Sequence, residues 1–128
     1  IPNTLAEKEL LMIKKIYGTS IDNLFWKNDF RLSALGIAML DQISGLLKKY
    51  SDFKLVIAIH TDNIGSPASN LILSRNQAKA IENYLLSKGI NRERLISEGF
   101  GSSRPVKSNL SAEDRKENRR LGLFLILE

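Results

Sequence analysis

A chain of 128 residues with 43% hydrophobic and 26% charged content has the size and composition of one folded domain, too small for two. Its net charge of +5 comes from Lys and Arg that are scattered and mostly sit beside acids, as in Arg92-Glu93-Arg94 and Asp114-Arg115-Lys116-Glu117, which describes a solvated surface rather than a nucleic-acid-binding face. The absence of cysteine excludes disulfides, thiol catalysis and thiolate metal sites, and the longest apolar run, Leu121 to Leu127, is far short of the ~20 residues that span a bilayer.

The chain carries neither an initiator Met nor a signal peptide, so it is expected to be a processed piece whose anchor or export signal lies outside it. Residues 1–20 are expected to form a helical or linker segment. Thr4 and Glu7 fit a capping box ahead of Leu10, Leu11, Ile13 and Ile16, which predicts a helix from Leu5 to about Ile16 or a linker packed on the domain. The domain itself is expected over residues 21–128.

Ile21 to Trp26 reads as a short first strand before the polar loop Lys27-Asn28-Asp29. From Ser33, a plausible N-cap, to Lys49, the positions Leu35, Met39, Leu40, Ile43, Leu46 and Leu47 predict a helix with one buried face. Lys54 to Thr61 predicts a second strand, nearly continuous in apolar residues and so covered on both faces. A helical pattern runs from Ser74 to Lys88, with Leu73, Ala78, Ile81 and Leu85 on its inner stripe and Gly89 placed to stop it. Leu95 to Phe100 predicts a third strand, leading into the loop Gly99 to Pro105. Ser111-Ala112-Glu113-Asp114 opens a short helix, and the unbroken apolar run of Arg120 to Leu127 argues for a central last strand. Strands alternating with helices give an α/β or α+β sandwich.

The predicted strand ending in Ile57-Ala58-Ile59-His60 breaks abruptly into Thr61-Asp62-Asn63-Ile64-Gly65-Ser66. A loop between a strand's carboxyl end and a helix is where open α/β sheets bind ligands. Asp62 is therefore the centre of the candidate site. Two roles are open to it, ligand acceptor or Asx-turn, and Asn70 is either a ligand contact or a helix cap. Catalytic chemistry is nearly absent: one His, no Cys and no acid pair at a catalytic spacing. His60, at the end of a buried strand, reads as a structural histidine bonding a backbone carbonyl rather than a general base. One His among scattered carboxylates is no metal site, and Gly99-x-Gly101 is too short for a phosphate loop. Neither an enzyme nor a cofactor is expected.

His60-Thr61-Asp62-Asn63-x-Gly65, Asn70, Leu73-Ser74, Ala78, Leu85, Gly89-Ile90, Gly99-x-Gly101, Pro105 and Asn118-Arg119-Arg120 follow one another in this order. The series resembles the OmpA-like C-terminal domain, the peptidoglycan-binding module of outer-membrane porin-type proteins, peptidoglycan-associated lipoproteins and flagellar stator proteins. The resemblance covers residues 22–127. It implies a mixed four-stranded sheet packed on two main helices plus a short third one, and a non-covalent grip on the stem peptide of peptidoglycan. It further implies a periplasmic location, attached to the outer membrane, with an envelope protein as a possible second partner. In the family the residue matching Asp62 accepts hydrogen bonds from diaminopimelate, and those matching Asn70 and Arg119 line the same groove; Ile64 is placed with them. The sequence departs from the family where Gln77 replaces an Arg that binds the side-chain carboxylate of diaminopimelate. Arg75, two residues earlier and ~200° around the helix, cannot stand in for it. Gln77 shares a stripe with Asn70 and Ser74, and its neutrality suits a third residue without a free carboxylate: ornithine, lysine or amidated diaminopimelate. The alternative is a degenerate module kept for structural or protein-interaction purposes. Ile59 stands where the family has Gly and is expected to crowd the strand end.

Overall fold

The computed structural model describes residues 20–127, and the helix expected over residues 5–16 lies outside them. Two long helices, α2 (Ala34–Lys49) and α3 (Pro67–Ser87), pack with a three-stranded sheet of order β2-β1-β3. Strands β1 (Phe53–His60) and β2 (Leu95–Gly101) are parallel and joined through α3, while β3 (Arg120–Leu127) runs antiparallel to β1. A single helical turn, α1 (Ile21–Leu24), and the short α4 (Ala112–Asn118) complete the helical part. Leu55, Ile57 and Ile59 of β1 pack with Ile43 and Leu47 of α2, Ala78, Ile81 and Leu85 of α3, and Leu121 and Leu123 of β3. This period-2 stripe against two helical stripes is the core.

The first expected strand does not form at Ile21–Trp26. Ser20 caps a helical turn by accepting from the Asp22 N–H at 3.3 Å, and Ile21 and Leu24 are both buried. Apolar positions three apart suit a turn of helix better than a pleated strand. Strand-like pairing survives only as isolated bridges, Ser20 with Arg120 and Phe25 with Leu32, so the described residues hold three strands rather than four.

The central strand is β1, whereas β3 pairs on one side with β1 and on the other, among the described residues, only with Ser20. On the sheet face opposite Leu55, Ile57 and Ile59, Phe124, Ile126 and Ile96 are exposed and Val56 of β1 is only half-buried, so the expected double cover is incomplete. Helix α3 begins at Pro67, seven residues before the expected start, because Ser66 caps it by accepting from the Ser69 N–H and Pro67 sits at its first position. In α2 the expected buried face excludes Leu35, which is exposed; Gly36 takes its place. A Cβ on Gly36 would lie 2.4 Å from the Leu24 carbonyl oxygen, so α1 rests directly on the α2 backbone. Ile59 is fully buried opposite Gly99, the β2 residue that lies against the α3 backbone, and the β1–β2 register slips by one residue immediately after it, where His60 faces Gly101.

Candidate functional site

Beyond β1 the Thr61 N–H still donates to the Gly101 carbonyl at 2.9 Å. The chain then turns. Asp62 Oδ1 accepts from the Ile64 N–H at 2.9 Å, closing the Asx-turn, and the Thr61 hydroxyl donates to the Asp62 carbonyl at 2.8 Å. Gly65 adopts a φ of +88°, a left-handed conformation suited to Gly. Asn70 sits inside α3 rather than capping it, and its Nδ2 donates to the carbonyls of Asp62 (3.3 Å) and Ile64 (3.0 Å). The loop is thereby clamped to the helix that follows it.

The other carboxylate oxygen of Asp62 faces Arg119, between α4 and β3. Arg119 Nη1 donates to Asp62 Oδ2 at 2.6 Å, while Nε and Nη2 fork onto Asp22 Oδ1 and Oδ2 at 2.8 and 3.0 Å. The hydrogen bonds to Asp22, and after them Asp62, outweigh burial and raise the already high pKa of this guanidinium. Asp62 is only 8% exposed, so its charge is held by Arg119 and the Ile64 N–H more than by water.

Gln77 lies on the same helix face as Asn70 and Ser74, and all three are buried. Its amide is partly committed: Nε2 donates to the Asp29 carbonyl at 3.1 Å, bracing the 25–32 loop against α3. Arg75 lines a different cleft, with Lys79 and Glu98.

Asp62, Ile64, Asn70, Gln77 and Arg119 all line one cleft of about 650 Å³. Sequence reasoning missed other walls of it, chiefly Asp22, Trp26, Lys27, Asn28 and Arg115. The signal for Asp22 was the Ser20-x-Asp22 helix start, hidden by the strand assignment. His60 also lines the cleft, at 7% exposure, stacked on Phe100 with centroids 5.1 Å apart and 12° between planes. The Arg104 guanidinium lies 4.0 Å from the Phe100 ring centre. His60 Nδ1 does not make the expected bond to a carbonyl and has no partner among the described residues. Burial first, then the Arg120 and Arg104 charges, push the imidazole pKa down to about 4, so His60 is neutral at pH 7. Among the described residues no three His, Asp or Glu side chains group as metal ligands. What the cleft offers is a buried carboxylate and a guanidinium that satisfy each other, open to a ligand carrying both charges.

Residues 24–119 match the OmpA family. The chain is 35% identical over 121 residues to outer membrane protein A of Bordetella avium, covering 94% of this chain and 61% of that protein. It is 35% identical over 87 residues to the peptidoglycan-binding protein ArfA of Mycobacterium tuberculosis, covering 68% of this chain and 27% of that one. The chain thus spans less than two thirds of either relative. Among solved structures, the cell wall anchor of the type VI secretion system of Pseudomonas aeruginosa superposes with a TM-score of 0.74 at 26% identity, covering 85% of this chain and 78% of the other.

Proposed function

The chain belongs to the OmpA family, and from that premise we propose that residues 21–128 bind the stem peptide of peptidoglycan without covalent chemistry, tethering an envelope protein to the cell wall. Residues 1–20 would connect the module to that protein, in the periplasm at the outer membrane. The observation that carries this reading is the Asp62–Arg119 pair in the cleft. A stem peptide ends its diamino acid in an ammonium and carries carboxylates elsewhere, so it can replace each partner with an equivalent one. Asp62 accepts from the ammonium, Arg119 forks onto a carboxylate, and Asp22 keeps the guanidinium in place. Asn70 and Ile64 shape the loop around them.

Within this reading, Gln77 favours a third residue lacking a free side-chain carboxylate. A charged hydrogen bond contributes ~1.5–3 kcal/mol, so a neutral amide where relatives place Arg weakens diaminopimelate binding roughly 10- to 150-fold. The commitment of one Nε2 hydrogen to Asp29 leaves the amide a single N–H and its Oε1 to offer a ligand. Titration with stem peptides differing only at the third residue tests this. Ornithine, lysine or amidated diaminopimelate peptides should bind better than the diaminopimelate peptide, and Gln77→Arg should reverse the order. The preference is refuted if the unmodified chain already prefers diaminopimelate, and binding itself is refuted if no peptide binds at millimolar concentration. The second reading, a structural or protein-interaction domain, is favoured by one fact: Arg119 bonds both Asp62 and Asp22 within the chain. Retention on purified sacculi that disappears in Asp62→Ala decides for peptidoglycan.

A further inference from the structure

The loop between α1 and α2 presents Trp26, the sole tryptophan of the chain, at 58% exposure on the wall of the cleft that holds Asp62 and Arg119. Single exposed apolar residues are ordinary on protein surfaces. This one stands on a braced backbone. Its N–H donates to the Arg31 carbonyl and its own carbonyl accepts from the Asp29 N–H, both at 3.0 Å. Asp29 is fixed in turn: its carboxylate accepts from the Phe30 N–H at 2.7 Å and from Arg31 Nε at 2.8 Å, and its carbonyl from Gln77. The Arg31 guanidinium lies 4.9 Å from the indole ring centre, covering one side of the ring. Asn28 adopts a φ of +53° to close the turn.

We propose that Trp26 is a platform for a pyranose ring, so that the cleft takes the stem peptide together with the N-acetylated amino sugar that carries it. The inference rests on the stem-peptide reading above and adds a subsite to it. An indole face, negative at its centre, accepts a row of sugar C–H groups as it accepts the edge of another ring. Because the loop is already braced, little freedom is lost when a ring settles on it. Lys27 and Asn28 line the cleft beside it and supply an ammonium and an amide for hydroxyl and acetamido groups. A stem peptide alone has no use for such a surface. Its charges address Asp62 and Arg119, and its remaining side chains are methyls and a carboxylate, whereas the sugar is joined to its first residue through a lactyl ether.

The test compares a free stem tripeptide with the same tripeptide on an N-acetylmuramyl group, by calorimetric titration of the wild type, Trp26→Phe and Trp26→Ala, each checked for folding by thermal melting. The third residue of both ligands is whichever the wild type binds best. The wild type should bind the muramyl peptide about 10-fold more tightly than the free peptide. Trp26→Ala should lose that increment while keeping its affinity for the free peptide within about twofold, and Trp26→Phe should keep part of it. The tryptophan emission of the wild type should respond to the muramyl peptide and not to the free one. Equal binding of the two ligands by the wild type overturns the sugar platform alone. So does an equal loss for both in Trp26→Ala, which would place the indole against the peptide. Failure of the wild type to bind either ligand overturns the stem-peptide reading and the platform together.

Discussion

Asp62→Asn separates the role of one charge from that of the fold. The Asx-turn needs only an oxygen, so the bond from the Ile64 N–H at 2.9 Å can persist in the amide. What is lost is the charge assistance of the 2.6 Å contact with Arg119, whose partners are 11% and 29% exposed at their side chains. Arg119 is not stranded, because it keeps both bonds to Asp22. The difference between a charged and a neutral hydrogen bond is about 1–1.5 kcal/mol, which for a domain of this size lowers Tm by roughly 3–8 °C. The effect on a ligand ammonium is larger, because the other carboxylate of the cleft, Asp22, is taken up by Arg119: about 10- to 150-fold in affinity. Thermal melts and calorimetric titrations with the best-binding stem peptide, at low and moderate salt, read the two effects separately. The reasoning fails if Asp62→Asn binds like wild type while added salt abolishes binding, since general positive charge then explains the affinity. It also fails if Tm drops so far that the binding loss is mere unfolding.

Two further outcomes are expected. His60 resists protonation down to about pH 4 when folded, against an ordinary value near 6.5 in the unfolded chain. The unfolded state therefore takes up a proton the folded state refuses, so stability is full above about pH 6.5 and falls towards pH 4, by ~3 kcal/mol at most. Denaturant melts of wild type and His60→Gln across that window should differ in slope by this contribution, and parallel curves would show that the imidazole is not held neutral. Gly99→Ala should destabilise by about 3 kcal/mol or more, because its Cβ would lie 2.3 Å from the Arg75 nitrogen and 2.4 Å from the Ser74 carbonyl carbon. These are backbone atoms of α3, so relief requires moving the helix. A change within ~0.5 kcal/mol would show that the contact is not this tight.

The long helices and the places of β1, β2 and β3 along the chain were legible because their patterns are local and strong. Leu40, Ile43 and Leu47 recur at helical spacing, and Leu55, Ile57 and Ile59 alternate inward. The five candidate residues came from the motif order, and one cleft brings them together. What stayed hidden depends on contacts remote in sequence. The i, i+3 spacing of Ile21 and Leu24 is too short a signal to overrule a strand assignment, and only the close seat of α1 on Gly36 shows how a single turn is accommodated. Nothing near Gln77 announces that its amide will meet a carbonyl 48 residues away. The central place expected for β3 failed, and β1 holds it instead, since an apolar run does not say what lies beside it.

The Ser20–Arg120 bridge has a mechanical meaning. It places the chain's entry into the domain beside Arg119, whose backbone carbonyl also accepts from the Ile21 N–H at 3.2 Å. The other end of β3 lies far off, where Leu127 pairs with Phe53. Tension arriving through residues before Ser20, with a ligand held at Asp62 and Arg119, is transmitted over a few bonds at one end of the sheet. The β1–β3 ladder and the core beneath it lie off that load path. On the proposed reading, such a pull would release the ligand or peel α1 before it loaded that ladder.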